Sequence, residues 1–110
     1  MDLKTTQKGD VTIVELEGRL DVHYSLEVEQ SMNALIDSGK IKLVINLAKV
    51  EYLSSSGLRI FIAAMRKLKE KRGGLKLVRM TSAVEKIFKV VELIDLFEIY
   101  PTEDDALKTF

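Results

Sequence analysis

The chain has 110 residues, 17 basic and 17 acidic side chains, one His, one Pro, no Cys and no Trp, and a formal net charge of zero. That length suits a single domain over residues 1–110 that buries roughly two-thirds of its unfolded surface, so its core needs no metal or disulfide. Neutrality argues against a general nucleic-acid or membrane-surface binder, and the missing cysteines exclude disulfides, thiol nucleophiles and thiolate metal sites.

Leu3 to Gln7 reads as a first strand, ending at the turn Lys8-Gly9-Asp10. In Val11–Glu17, Val14 and Leu16 share one face, while Val11 and Ile13 share a second that turns polar at Glu15 and Glu17. This alternation predicts a strand, stopped by Gly18. The period then changes. Val28, Met32, Leu35 and Ile36 form one helical stripe between Leu26 and Ser38. Ser25 is the expected N-cap, Glu27 and Glu29 suit the first turn, and Gly39 is placed as a left-handed stop.

Ile41–Leu47 is the clearest strand: Ile41, Leu43, Ile45 and Leu47 point one way and Val44 the other, as expected of an inner parallel strand covered on both faces. A second helix is predicted from Gly57 to Arg72, burying Leu58, Phe61, Ile62, Met65 and Leu68 and stopped by Gly73-Gly74. Leu75–Met80 is a further strand. Ser82-Ala-Val-Glu85 is a capping-box pattern, and the helix after it places Val84, Ile87, Phe88 and Val91 on one side. Leu96–Tyr100 reads as a short edge strand. Pro101–Asp105 repeats the capping logic before a terminal helix that docks through Ala106, Leu107 and Phe110. The order β-β-α-β-α-β-α-β-α predicts an α/β domain: a mixed, largely parallel sheet of about four to five strands flanked by about four helices.

Chemistry is sparse. Ser54-Ser55-Ser56 lies between a strand and a helix and is followed by Gly57-Leu58. One hydroxyl there suits a helix cap, but a cap needs one serine, not three. The carboxyl end of a strand beside a helix N-terminus is also where open α/β sheets bind ligands, and its N–H groups favour an anion. No P-loop, G-x-G-x-x-G or Gly-x-Ser-x-Gly pattern exists, and a Ser/His triad would rest on His23 alone. Glu103-Asp104-Asp105 reads as compensation of a helix dipole rather than a metal site. Arg59, Arg66, Lys67, Lys69, Lys71 and Arg72 give the second helix a basic outer face, which suits either solvent or an acidic partner.

Charge is also segregated along the chain. Residues 57–76 hold seven basic side chains and one acidic, whereas residues 84–105 hold seven acidic and two basic. The longest apolar run, Ile60 to Met65, is too short for a bilayer span, and Met1–Thr6 lacks the apolar core of a signal peptide. A cytoplasmic location is expected.

Three ordered segments resemble a known family. Gly18-Arg19-Leu20-Asp21, then Leu43–Leu47 with Leu53-Ser-Ser-Ser-Gly-Leu58, then Arg72-Gly-Gly-Leu-Lys-Leu77 with Ile87-Phe88 and Leu93, resemble the anti-sigma factor antagonists, which are lone STAS domains. The resemblance implies a STAS-like fold and a protein-binding switch rather than an enzyme. It implies that the unphosphorylated protein binds an anti-sigma factor that is also a serine protein kinase, releasing a sigma factor. Phosphorylation of a loop hydroxyl ends binding and a phosphatase resets it. The implied acceptor is Ser56, with Ser55 second, and the implied partner surface holds Asp21, Ser54, Gly57, Leu58 and Arg59. No cofactor is implied for this chain, since ATP would sit on the kinase; nor is nucleic acid or membrane, and the expected state is a monomer or weak dimer. Ser54 stands where the family usually has Asp, and Arg59 where it often has Gly. The competing readings are a non-switching STAS scaffold in a stress-signalling assembly, and a small-molecule enzyme built on Asp21 and His23.

Overall fold

A computed structural model of the chain describes residues 3–110. Five strands form one sheet in the order β1-β2-β3-β4-β5: Lys4–Lys8, Val11–Leu20, Lys42–Leu53, Gly74–Val78 and Glu98–Tyr100. β1 is antiparallel to β2, and every other pair is parallel. The helices are α1 (Val22–Asp37), α2 (Ser55–Glu70), α3 (Ser82–Val90) and α4 (Glu103–Leu107). Thus the predicted α/β order and the mixed, largely parallel sheet are present.

Each parallel strand carries a helix that must return along the sheet, and the alternation within the strands decides which face it covers. Leu43, Ile45 and Leu47 of β3 join Val14 and Leu16 of β2 under α1, α2 and α3 in the larger core. Val44, Val11, Ile13 and Val78 face the other way and are covered by Ala106, Leu107 and Phe110 at the C-terminal helix. Val28, Met32 and Ile36 of α1 and Leu58, Phe61, Met65 and Leu68 of α2 are buried as expected, while Leu35 and Ile62, expected in the same stripes, are only partly buried against this core. Phe97 reaches back from the segment before β5 to meet Phe88 edge-on, with ring centroids 5.6 Å apart. On the α4 side, the buried Lys76 donates to the backbone oxygen of Thr109 at 3.1 Å and to its hydroxyl, and lies 4.4 Å from the Phe110 ring centre. These contacts tie the end of the chain to the sheet.

Several expected boundaries move. β2 runs past Gly18 to Leu20, because Gly18 takes φ +88° beside a register shift, which bends the strand without ending it. Helix α1 then begins without a loop, so Asp21 is its N-cap and Ser25, the expected cap, is buried inside it. Glu27 and Glu29 accordingly fall beyond the first turn. β3 extends six residues beyond the expected Leu47, because the long β2 supplies a partner as far as Leu53. Helix α2 starts at Ser55 rather than Gly57. Thr81, not Ser82, caps α3 by accepting from the Val84 N–H at 3.2 Å. Val91 lies beyond that helix and is exposed, since Glu92 turns the chain away with φ +59°. β4 stops at Val78 as Arg79 adopts φ +55°, and only Glu98–Tyr100 of the expected last strand is paired.

Ion pairs at the β1–β2 end of the sheet give the fold a small pH dependence. Lys42 hydrogen-bonds Asp10 at 2.6 Å and holds its carboxyl below the ordinary 3.8. Lys49, at 3.0 Å, does the same for Glu15, below the ordinary 4.5, and is itself raised above 10.5 by that bond. The lowered carboxyls contribute stability above their unfolded values and lose it as pH falls through the folded ones; the raised lysine contributes below 10.5 and loses it as pH rises. The thermal midpoint should therefore drop between about pH 5 and about pH 3. An Asp10→Asn/Glu15→Gln variant should show a flatter profile over that range, and added salt should shrink the difference, because these pairs are solvent-exposed.

Candidate functional site

β2 and β3 stay paired to their last residues, with Leu20 opposite Leu53. The next residue in each case, Asp21 or Ser54, is a helix cap. Two helix N-termini therefore emerge side by side from the carboxyl ends of adjacent parallel strands. Each carries about half a positive charge from its unpaired N–H groups.

The Leu20 carbonyl joins the two junctions. It accepts from the Ser54 hydroxyl at 2.7 Å and from the Ser54 N–H at 3.0 Å. The same hydroxyl accepts from the Gly57 N–H at 3.2 Å, closing the first turn of α2. Asp21 closes α1 by accepting from the Tyr24 N–H at 2.9 Å. Of the three serines, only Ser54 is used as a cap. Ser55 is exposed and Ser56 half-buried, and neither hydroxyl has a hydrogen-bond partner among the described residues.

Ser54 does what an aspartate could not, because a carboxylate accepts from Gly57 but cannot donate to Leu20. Ser54→Ala should cost about 1 kcal/mol of stability, the usual value of a lost N-cap, read from urea denaturation. Ser54→Asp should retain the cap and lose only the bond to Leu20. Its midpoint should lie between those of the wild type and Ser54→Ala.

Gly57 has a packing reason. A Cβ there would sit 3.3 Å from both Leu20 Cβ and Leu53 Cδ2, so glycine lets α2 press against the end of β2. Gly57 and Leu58, expected on the partner surface, are in fact buried; they support the loop from beneath. Asp21, Ser55 and Arg59 are exposed around it. Arg59 takes part in no ion pair among the described residues.

An open groove runs between α1 and α2 from this loop. Val22, Ser25 and Leu26 line it from α1, and Ser56, Ile60 and Ala63 from α2; His23, Glu29 and Arg59 add titratable and charged groups. Val22 and Leu26 are 65% and 56% exposed, the only large apolar side chains of α1 left so bare among the described residues. Sequence reading missed this pair. The signal was their spacing of four, which makes a second short stripe once α1 is known to start at Val22 rather than Leu26. His23 lies at the start of α1, as expected, and is exposed. No group of three or more metal-ligating side chains occurs among the described residues, and no helix there is long and apolar enough to cross a membrane.

The arrangement thus brings together two free hydroxyls at a helix N-terminus, a partly apolar groove and the exposed Arg59. A sequence profile described as STAS domain matches residues 2–106. The chain belongs to the STAS domain family. Among its relatives, the anti-sigma-B factor antagonist of Staphylococcus aureus is 24% identical over 99 residues, covering 90% of this chain and 92% of that protein. The solved structure of an anti-sigma factor antagonist from Mycobacterium paratuberculosis is 32% identical, with a TM-score of 0.87 over 97% of this chain and 91% of that one. The Bacillus cell fate determinant SpoIIAA, solved in its phosphorylated form, shares the fold at 20% identity, with a TM-score of 0.74 over 97% of each chain. In this STAS domain the segment Leu53–Leu58 is the end of β3 and the first turn of α2, and Gly18–Asp21 is the neighbouring strand end and the cap of α1. Two of the segments that carried the family resemblance therefore meet at one place through the Leu20 carbonyl.

Proposed function

We propose that this chain is an anti-sigma factor antagonist whose Ser54–Arg59 corner binds an anti-sigma factor and is switched by phosphorylation of Ser56. The relatives named anti-sigma factor antagonists support the class. The observation that carries the switch is the division of labour among the serines: Ser54 is consumed by the cap, while Ser55 and Ser56 keep free hydroxyls where an anion is favoured.

Unmodified, the corner presents small hydroxyls, the exposed Val22 and Leu26, and the Arg59 guanidinium. The partner lies over them and is also the kinase. It transfers the γ-phosphoryl group of ATP to the Ser56 oxygen, releasing ADP and the hydroxyl proton. The product carries about −1.5 to −2 charges at pH 7. Burying that charge unpaired at an interface costs several kcal/mol, so the complex separates and the sigma factor is recaptured. The domain itself tolerates the charge, because the first turn of α2 offers it unpaired N–H groups. A phosphatase restores the hydroxyl. Ser55, one residue away and exposed, is the second candidate acceptor.

Incubation with the cognate kinase and ATP, followed by mass spectrometry, tests the assignment. The expected phosphate is on Ser56; no phosphate on Ser54, Ser55 or Ser56 would remove the switch. Ser54 in the usual aspartate position favours one second reading, a scaffold that binds without switching. In that case the partner binds equally before and after incubation.

A further inference from the structure

We infer that the α1–α2 groove is a built receptor for the phosphoryl group on Ser56, with the Ser25 hydroxyl and the Arg59 guanidinium as its ligands. The inference rests on the proposed switch for its biological use, but the receptor itself is a property of this chain.

Ser25 is the observation that leads to it. It is 1% exposed, and its hydroxyl is the one buried side-chain polar atom without a hydrogen-bond partner among the described residues. A buried hydroxyl left unpaired is costly and calls for a reason. The ordinary remedy within a helix, a bond from the hydroxyl back to the carbonyl four residues earlier, is not made; Asp21 O receives only the Ser25 N–H, at 2.9 Å. Ser25 lines the same groove as Ser56, across from it on the neighbouring helix. Ser55 does not line that groove.

The groove offers a phosphate more than one donor. Ser25 supplies an O–H, Arg59 supplies a guanidinium suited to paired contacts with phosphate oxygens, and the first turn of α2 adds unpaired N–H groups, whereas the N-terminus of α1 is already capped by the Asp21 carboxylate. The other charged and titratable groups there are His23 and Glu29 in the groove and Asp21 at the cap of α1. Glu29 lies one turn beyond Ser25 on α1 and opposes an anion, so occupancy is confined to the end of the groove nearest Ser56. Val22 and Leu26 flank Ser25 and are exposed, and the Ser25 hydroxyl, itself closed to solvent, is reached only by displacing side chains over it. Phosphorylation would then act through the groove itself: the received dianion neutralises the Arg59 guanidinium and fills the space the partner uses.

The test uses the full chain with phosphoserine installed at position 56 during synthesis, and separately at position 55. Phosphorus NMR titration reads the second ionisation of each. A received phosphate keeps its dianion to lower pH, so the position-56 group should titrate about half a unit or more below the position-55 group. Ser25→Ala and Arg59→Gln should each move it back toward the position-55 value. Thermal melting supplies a second readout with opposite signs. In the unmodified protein Ser25→Ala should leave the midpoint unchanged or raise it, since it removes an unpaired hydroxyl; in the phosphorylated protein it should lower it. Equal titration at positions 55 and 56, with no response to Ser25→Ala, would overturn the receptor. Failure of the kinase to modify Ser56 would instead overturn the proposed function and leave these measurements standing.

Discussion

Ser56→Asp should weaken binding to the cognate anti-sigma factor by about a hundredfold or more, while leaving the fold as stable as before. The loss follows from charge. Two to three kcal/mol of uncompensated desolvation is a modest share of what an unpaired buried carboxylate costs, and each 1.4 kcal/mol is roughly tenfold in affinity. Retained stability follows from position. Ser56 is the second residue of α2, where a carboxylate interacts favourably with the helix N-terminus, by about 0.3–1 kcal/mol. Calorimetric titration beside a thermal melt separates the two effects. Full-strength binding by a folded Ser56→Asp protein would count against the corner as the interface.

The largest effect on stability is expected at Gly73. A Cβ there would fall on the carbonyl oxygen of Ile41, and would lie 2.7 Å from its carbonyl carbon and 2.8 Å from its Cβ. The contact is backbone against backbone, so no side chain can give way. It also lies where β3 and β4 begin to pair, since Gly74 N–H donates to Ile41 O at 2.9 Å. Gly73→Ala should cost about 3 kcal/mol or more, at the upper end for overpacking. Gly39 provides the contrast. Its φ of +99° disfavours a side chain, but nothing lies within 4 Å of the added carbon. Gly39→Ala should cost only about 1–2 kcal/mol, the usual conformational penalty for leaving glycine in the left-handed region. Urea denaturation of the two variants therefore distinguishes a steric requirement from a conformational one. Equal losses would mean that the approach of Gly73 to Ile41 imposes no steric requirement.

The same residue shows where sequence reading succeeds and where it fails. Gly73-Gly74 correctly marks the end of a helix, although neither glycine makes the left-handed turn. Arg72 takes the left-handed turn, with φ +63°, and Gly73 is needed for a close approach to a strand more than thirty residues earlier. Local rules cannot see that neighbour. Period-based readings did better: the two faces of β3 and the buried stripes of α1 and α2 are all present, because burial acts on whole faces. The error at α1 was larger. Gly18 reads locally as a stop and Ser25 as a cap, whereas β2 continues through a bulge to Leu20 and Asp21 caps the helix. That displacement hid the Val22–Leu26 pair and the burial of Ser25.

At the candidate site, the cap, the serine run and the exposed Asp21 and Arg59 were legible as residue types at a strand–helix junction. The burial of Gly57 and Leu58 was legible only in part. Leu58 already belonged to the apolar stripe of α2, yet its place in the resembling loop suggested a surface. The junction itself was invisible, because it depends on one backbone carbonyl, Leu20 O, and on the register of two parallel strands. The segregated charge of the chain reaches this site only in part. Arg59 follows the serines directly on α2, but within the basic run 57–76 Lys67 pairs with Asp37 and Lys76 is buried on the α4 face of the sheet, a dispersal that sequence spacing alone does not reveal.

Native mass spectrometry of the chain mixed with its cognate anti-sigma factor, before and after ATP is added, tests in a single measurement the proposal that the unphosphorylated chain holds an anti-sigma factor and that a phosphate on Ser56 ends the contact. The prediction is a complex before ATP, and afterwards a free chain heavier by one phosphate that maps to Ser56. A complex that persists when Ser56 is fully phosphorylated, or no complex at the start, would contradict it.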